Sequence, residues 1–99
     1  MNLFDIIIDD GGHTMNQQKT SFSTLISLVR SGDIYVIEDL ETSYVESYGG
    51  GHLKPSTTIS FLKTFIDELQ PHSPNKTIPL ANKISSMEIG DSICFFSLK

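Results

Sequence analysis

The sequence predicts an α/β domain on a mostly parallel sheet, and one that amounts to the second half of such a fold. Two short, continuous apolar runs, Leu3–Asp9 and Ile34–Ile37, end in carboxylates. An apolar pattern that is continuous rather than alternating is typical of strands covered on both faces in a parallel sheet. A segment of helical periodicity follows each of them. Two further strand-like segments then close the chain around a two-residue turn signal. The order is β-α-β-α-β-β, with the last strand antiparallel.

Leu3–Asp9 is the first strand, and Thr14–Arg30 is predicted as a helix. Thr14 and Gln17 have the Thr-x-x-Gln spacing of a capping box. Met15, Phe22, Leu25, Ile26 and Val29 fall on one helical face. Arg30 suits the last turn and Gly32 the stop. Ile34–Ile37 is the second strand and runs into Glu38-Asp39. Leu40–Pro55 reads as a loop that carries Tyr44 and Tyr48, with Gly49-Gly50-Gly51 as its flexible centre. Ser56 or Thr57 caps a second helix, whose apolar face is Ile59, Leu62, Phe65, Ile66 and Leu69 and which Pro71 ends. His72–Ala81 is a connector, and Lys83–Ile89 and Ser92–Leu98 are strands joined at Gly90-Asp91. Strand–helix–strand spacing of this kind makes a parallel pair with a right-handed crossover. Two helices cover one face of such a sheet, whereas a doubly wound fold has helices on both.

Ninety-nine residues allow one domain at most. A net charge of −5 and the lack of any Lys/Arg cluster exclude a general binder of nucleic-acid backbones. No apolar run approaches the roughly 20 residues of a membrane span. Met1-Asn2-Leu3-Phe4 has no basic region of a secretory signal. Cys94 is the chain's one cysteine and sits among apolar residues. It reads as a buried, reduced thiol, which suits a cytoplasmic setting.

The chemistry is expected where the strands end. Ligands of an open α/β sheet sit outside the carboxyl ends of its parallel strands. Asp9 and Asp10 end the first strand, and Glu38 and Asp39 end the second. Neighbouring strands lie about 5 Å apart, so these carboxylates would repel and raise each other's pKa values. A hard divalent cation, Mg²⁺, Mn²⁺ or Ca²⁺, removes that conflict with oxygen ligands alone. Gly11 and Gly12 permit a tight turn that brings His13 back over the acids. A neutral imidazole there is a general base near neutral pH. Other readings stay open from the residues alone. An acid after a strand also serves as a helix cap, and Asp9 is the first to be read so. His52 and His72 lie in loops without a partner pattern. The glycine run at 49–51 lacks GxGxxG spacing, and there is no GxxxxGK[ST] phosphate loop.

The stretch from Phe4 to Gly51 resembles the second half of a class I S-adenosylmethionine-dependent methyltransferase. More narrowly, it is similar to the metal-dependent sugar O-methyltransferases of macrolide biosynthesis, of the mycinamicin and macrocin type. Three motifs carry the likeness: Asp10-Gly11-Gly12-His13, Glu38-Asp39 and Thr42-Ser43-Tyr44. The 28 positions from Asp10 to Glu38 fit the family's spacing. Gly12 stands where the family has serine.

The resemblance implies the C-terminal half of a Rossmann-like methyltransferase sheet. It implies Asp10, Glu38 and Asp39 as Mg²⁺ ligands, His13 as the base that takes a sugar hydroxyl's proton, and Thr42 and Tyr44 as acceptor-binding residues. The acceptor would be a small molecule bearing a hydroxyl, with neither nucleic acid nor membrane as partner. The family's S-adenosylmethionine site lies on earlier strands that this sequence does not contain. Residues 1–99 are therefore expected to form a single partial domain lacking the N-terminal cofactor-binding half. The competing reading is a catalytically inactive, truncated relative. Its open strand edge and uncovered sheet face would favour homo-oligomerisation or a partner surface. A metal-dependent phosphate-handling domain explains the carboxylates but not Thr42-Ser43-Tyr44.

Overall fold

The computed structural model describes residues 4–9, 14–74 and 79–99. Strand β1 (Phe4–Asp9) leads through helix α1 (Met15–Leu25) to β2 (Val29–Ile37), and β1 and β2 pair in parallel. Helix α2 (Thr58–Leu69) precedes the hairpin of β3 (Ile84–Gly90) and β4 (Ile93–Leu98). The sheet order is β1-β2-β4-β3, so β4 lies between β2 and β3 and runs antiparallel to both.

The predicted caps form. The Thr14 hydroxyl accepts the Gln17 N–H at 3.2 Å, and the Thr14 N–H donates to Gln17 Oε1 at 3.3 Å. Of the two candidates for α2, Thr57 is the cap, its hydroxyl accepting the Ser60 N–H at 3.1 Å. Each cap satisfies an amide that has no partner inside its own helix.

Several features differ from expectation. Helix α1 stops at Leu25 rather than Arg30; a single 3-10 turn, Ile26–Leu28, follows, and β2 begins at Val29. The β-branched Val29 pairs with Phe4, and this strand pairing outweighs its helical spacing. The register then jumps to Ile6 opposite Ile34, leaving a bulge in β2. Gly32, at φ +88°, serves that bulge and not a helix stop. Arg30 lies instead beside Asp5, Nε to Oδ1 3.1 Å, an exposed pair of small energetic weight. At the hairpin, Gly90 pairs with Ile93, so the turn is Asp91-Ser92, one position later than predicted. On α2, Ile66 is exposed, while Thr58, Leu62, Phe65 and Glu68 make the buried stripe.

The core lies between the helices and one face of the sheet. Phe22, Leu62 and Phe65 pack there with Tyr35 and Ile37 of β2 and Cys94 and Phe96 of β4. Within the run Ile6-Ile7-Ile8, only Ile7 packs against this core; Ile6 and Ile8 are 56% and 60% exposed. The run predicts two covered faces, and on β1 the residues of the face away from the helices, Ile6 and Ile8, are not covered. No helix among the described residues is long and apolar enough to cross a membrane.

Cys94 is fully buried on β4, and burial pushes its thiol up to about 12. We expect a thiol-disulfide reagent such as DTNB to leave it untouched at pH 8 in the folded chain and to label it stoichiometrically in denaturant; equal rates would refute this packing. The unfolded thiol ionises from its ordinary value of 9.0 and the folded one only near 12. Cys94's contribution to stability is thus complete below pH 9 and falls as pH rises between these values.

Candidate metal centre

Strands β1 and β2 finish together, Asp9 opposite Ile37, so the described carboxyl ends of the parallel pair coincide. Glu38 and Asp39 follow Ile37 directly and are half-buried at that end of the sheet. Asp10, Gly11, Gly12 and His13 lie outside the described residues. Among the described residues, no three His, Cys, Asp or Glu side chains gather as metal ligands. The described part of the predicted set is therefore the Glu38-Asp39 pair. Its donors are oxygens only, which fits a hard divalent cation such as Mg²⁺.

Asp39 has a left-handed backbone, φ 59° and ψ 37°, an uncommon state for a residue with a side chain. Its carbonyl is held by three donors: the Thr42 hydroxyl at 2.9 Å, the Thr42 N–H at 3.2 Å and Gln18 Nε2 at 3.2 Å. Beyond Asp39 the chain forms two short 3-10 turns, Leu40–Tyr44 and Glu46–Tyr48, in place of the expected open loop. The Leu40 N–H donates to the Ser92 carbonyl at 3.1 Å and ties this segment to the β3–β4 turn.

The glycine run is built in, not a flexible centre. Gly51 N–H donates to the Ser43 carbonyl at 2.7 Å and Gly50 N–H to the Val45 carbonyl at 2.9 Å. A Cβ on Gly50 would lie 2.5 Å from the carbonyl oxygens of both Thr42 and Ser43. The loop backbone therefore packs directly on the Thr42-Ser43 turn.

Thr42 is buried, with its hydroxyl committed to the Asp39 carbonyl and to Gln18, whereas Tyr44 is exposed. Tyr44 lines a cavity of about 300 Å³ together with Leu40, Glu41, Ile59, Ile89 and Asp91. The ring of His52, read from the sequence as an ordinary loop residue, has its centroid 6.4 Å from that of Tyr44. Gln18 is the residue that sequence reasoning missed. Its signal was available: it is a polar residue at helical spacing between the buried Met15 and Phe22.

Comparison with known proteins finds relatives for most of this chain. The 8-demethyl-8-(2-methoxy-alpha-L-rhamnosyl)-tetracenomycin-C 3′-O-methyltransferase of Streptomyces olivaceus is 48% identical over 69 residues, which are 67% of this chain and 18% of that protein. The mycinamicin VI 2″-O-methyltransferase of Micromonospora griseorubida is 42% identical over 82 residues, 75% of this chain and 20% of that protein. Over about two thirds to three quarters of its length, then, the chain is homologous to sugar O-methyltransferases. It spans about a fifth of the length of these curated relatives. No protein-family model matches it. Among solved structures, the MycE methyltransferase from the mycinamycin biosynthetic pathway, in complex with Mg and SAH, superposes with a TM-score of 0.83 at 33% identity, over 96% of this chain and 27% of that one. The same enzyme with Mg, SAH and mycinamycin VI gives a TM-score of 0.82 at 34% identity. The mixed four-stranded sheet of this chain matches the C-terminal part of a Rossmann-like methyltransferase sheet, as the resemblance implied.

Proposed function

We propose that this chain forms the metal- and acceptor-binding end of a Mg²⁺-dependent, S-adenosylmethionine-dependent O-methyltransferase that acts on a sugar hydroxyl of a small-molecule glycoside. The observation that carries this reading is the half-buried Glu38-Asp39 pair at the shared carboxyl end of β1 and β2, in a fold that matches an enzyme solved with Mg and SAH. In this reading Glu38 and Asp39 hold the cation together with Asp10. A bound divalent cation supplies positive charge that orients an acceptor hydroxyl and makes it more acidic. His13 takes the hydroxyl proton on its neutral imidazole. Tyr44 offers its exposed ring to the acceptor beside the cavity, while Thr42 holds the turn from within. No residue of this chain is assigned to the methyl donor; residues 1–99 act as a partial domain, and the donor-binding half belongs to strands outside them. The buried thiol of Cys94 supports a reducing, cytoplasmic setting. The exposed Ile6 and Ile8 support association of the uncovered sheet face with another surface.

Calorimetric titration with Mg²⁺ tests the metal assignment. We expect saturable binding by the chain, and a loss beyond the roughly 10–100-fold typical of outer-shell changes when Glu38→Gln and Asp39→Asn are combined. Circular dichroism should show the double variant folded. Undiminished affinity in that variant would refute the assignment.

A further inference from the structure

We propose that Gln18 is a positioning residue of the cation site, holding the Asp39 peptide in its left-handed conformation and thereby aiming the Asp39 carboxylate; this rests on the metal-site reading above. Gln18 is 1% exposed, in the middle of α1, yet carries an amide where its helical neighbours on that face, Met15 and Phe22, are apolar. A buried amide is retained at cost unless each of its groups finds a partner. Here each does. Nε2 donates to the Asp39 carbonyl and to Thr42 Oγ1, both at 3.2 Å, and Oε1 accepts the Thr58 hydroxyl at 2.7 Å. The carbonyl of Asp39 can only accept, so the amide must present its nitrogen there, and the Thr58 hydroxyl completes the other side.

The Thr42 hydroxyl accepts from Gln18 and donates to the Asp39 carbonyl, so two side chains converge on one peptide oxygen. That oxygen belongs to the residue at φ 59°. A left-handed backbone costs energy at a non-glycine residue and is held by its surroundings, and these donors hold it here. Reverting the peptide to an ordinary conformation would swing the carbonyl away from both donors and redirect the side chain. Gln18 touches the peptide, not the carboxylate, so it acts through Asp39. The network also joins three segments. Gln18 belongs to α1, Thr42 to the turn after β2, and Thr58 opens α2. The direction of the Asp39 carboxylate is thereby tied to the seating of both helices.

The test compares Gln18→Met, which keeps length and packing but lacks both donors and acceptor, with Gln18→Glu, which keeps the acceptor for Thr58. A second pair, Thr42→Val and Thr42→Ser, removes and retains the hydroxyl donor. Mg²⁺ affinity is read by calorimetry, and the backbone at residues 39 and 40 by amide and Cα chemical shifts in the metal-free chain. We expect Gln18→Met and Gln18→Glu to weaken Mg²⁺ about tenfold or more and to move the Asp39 shifts, with thermal midpoints measured alongside. Thr42→Val should do the same and Thr42→Ser should restore wild-type behaviour. Wild-type Mg²⁺ affinity and unmoved Asp39 shifts in a folded Gln18 variant would overturn the proposal while leaving the metal site standing. A wild-type chain that binds no Mg²⁺ would overturn both, and that result is read before any Gln18 variant is made. Should Gln18→Met and Gln18→Glu fail to fold, the Thr42 pair decides: equal affinity in Thr42→Val and Thr42→Ser overturns the proposal.

Discussion

Replacing Phe22 with alanine is expected to unfold this chain or to lower its thermal midpoint by at least about 12 °C. Phe22 is 1% exposed and stands at the centre of the aromatic core. Its ring centroid lies 4.8 Å from that of Phe96, 5.5 Å from Tyr35, 5.7 Å from Phe61 and 5.8 Å from Phe65, mostly in edge-to-face contacts. These rings come from α1, β2, α2 and β4, so one side chain joins both helices to the two central strands. Removing a buried phenylalanine costs about 3–5 kcal/mol through lost burial and the cavity left behind. Domains of ordinary size are stable by only about 5–15 kcal/mol. A chain of 99 residues has a small core to draw on. About 4–8 °C per kcal/mol at this length converts the lower estimate into the stated shift. Circular dichroism during heating checks it; a fall below 5 °C would mean that the cluster is not the core.

The second large effect is expected at Gly50. Gly50→Ala should destabilise the chain by about 1–3 kcal/mol and weaken Mg²⁺ binding, because the added methyl meets two backbone carbonyls and not a yielding side chain. One of those carbonyls belongs to Thr42, whose hydroxyl and N–H hold Asp39. Gly51→Ala is the matched control. A Cβ there meets only the Lys54 side chain, at 3.5 Å, and should change stability by less than about 0.5 kcal/mol. Urea denaturation of the two variants separates close packing from flexibility. If the run were a flexible linker, the two substitutions would behave alike.

Several features were legible in the residues because the chemistry behind them is local. Thr14 with Gln17, and Thr57 with Ser60, satisfy helix amides three positions away; spacing alone reveals the first cap and narrows the second to Ser56 or Thr57. The apolar runs ending in acid locate two strand ends, and their pairing puts Glu38 and Asp39 at the carboxyl end of a parallel pair. The end of α1 was not legible. Ile26 and Val29 fit a helical face, yet Ile26 opens a 3-10 turn and Val29 pairs with Phe4 as strand. Periodicity records which residues are apolar but not which partner competes for their backbone. Ile66 shows the converse: it is apolar and was read into the stripe of α2, yet it is exposed, while Thr58 and Glu68 are buried.

By itself, then, the sequence determined the order of elements, the caps, the acidic strand ends and the likeness to the sugar O-methyltransferases, since these depend on residue type and short spacing. Tertiary structure decided the left-handed Asp39, the bond from Gln18 to a carbonyl 21 positions away, and the close approach of Gly50 to Thr42 and Ser43. It also left Ile6 and Ile8 uncovered although their run reads as fully buried. Each of these follows from which distant segments meet, and a side chain's neighbours across the fold are set by the joint packing of both helices on the sheet rather than by any one stretch of chain.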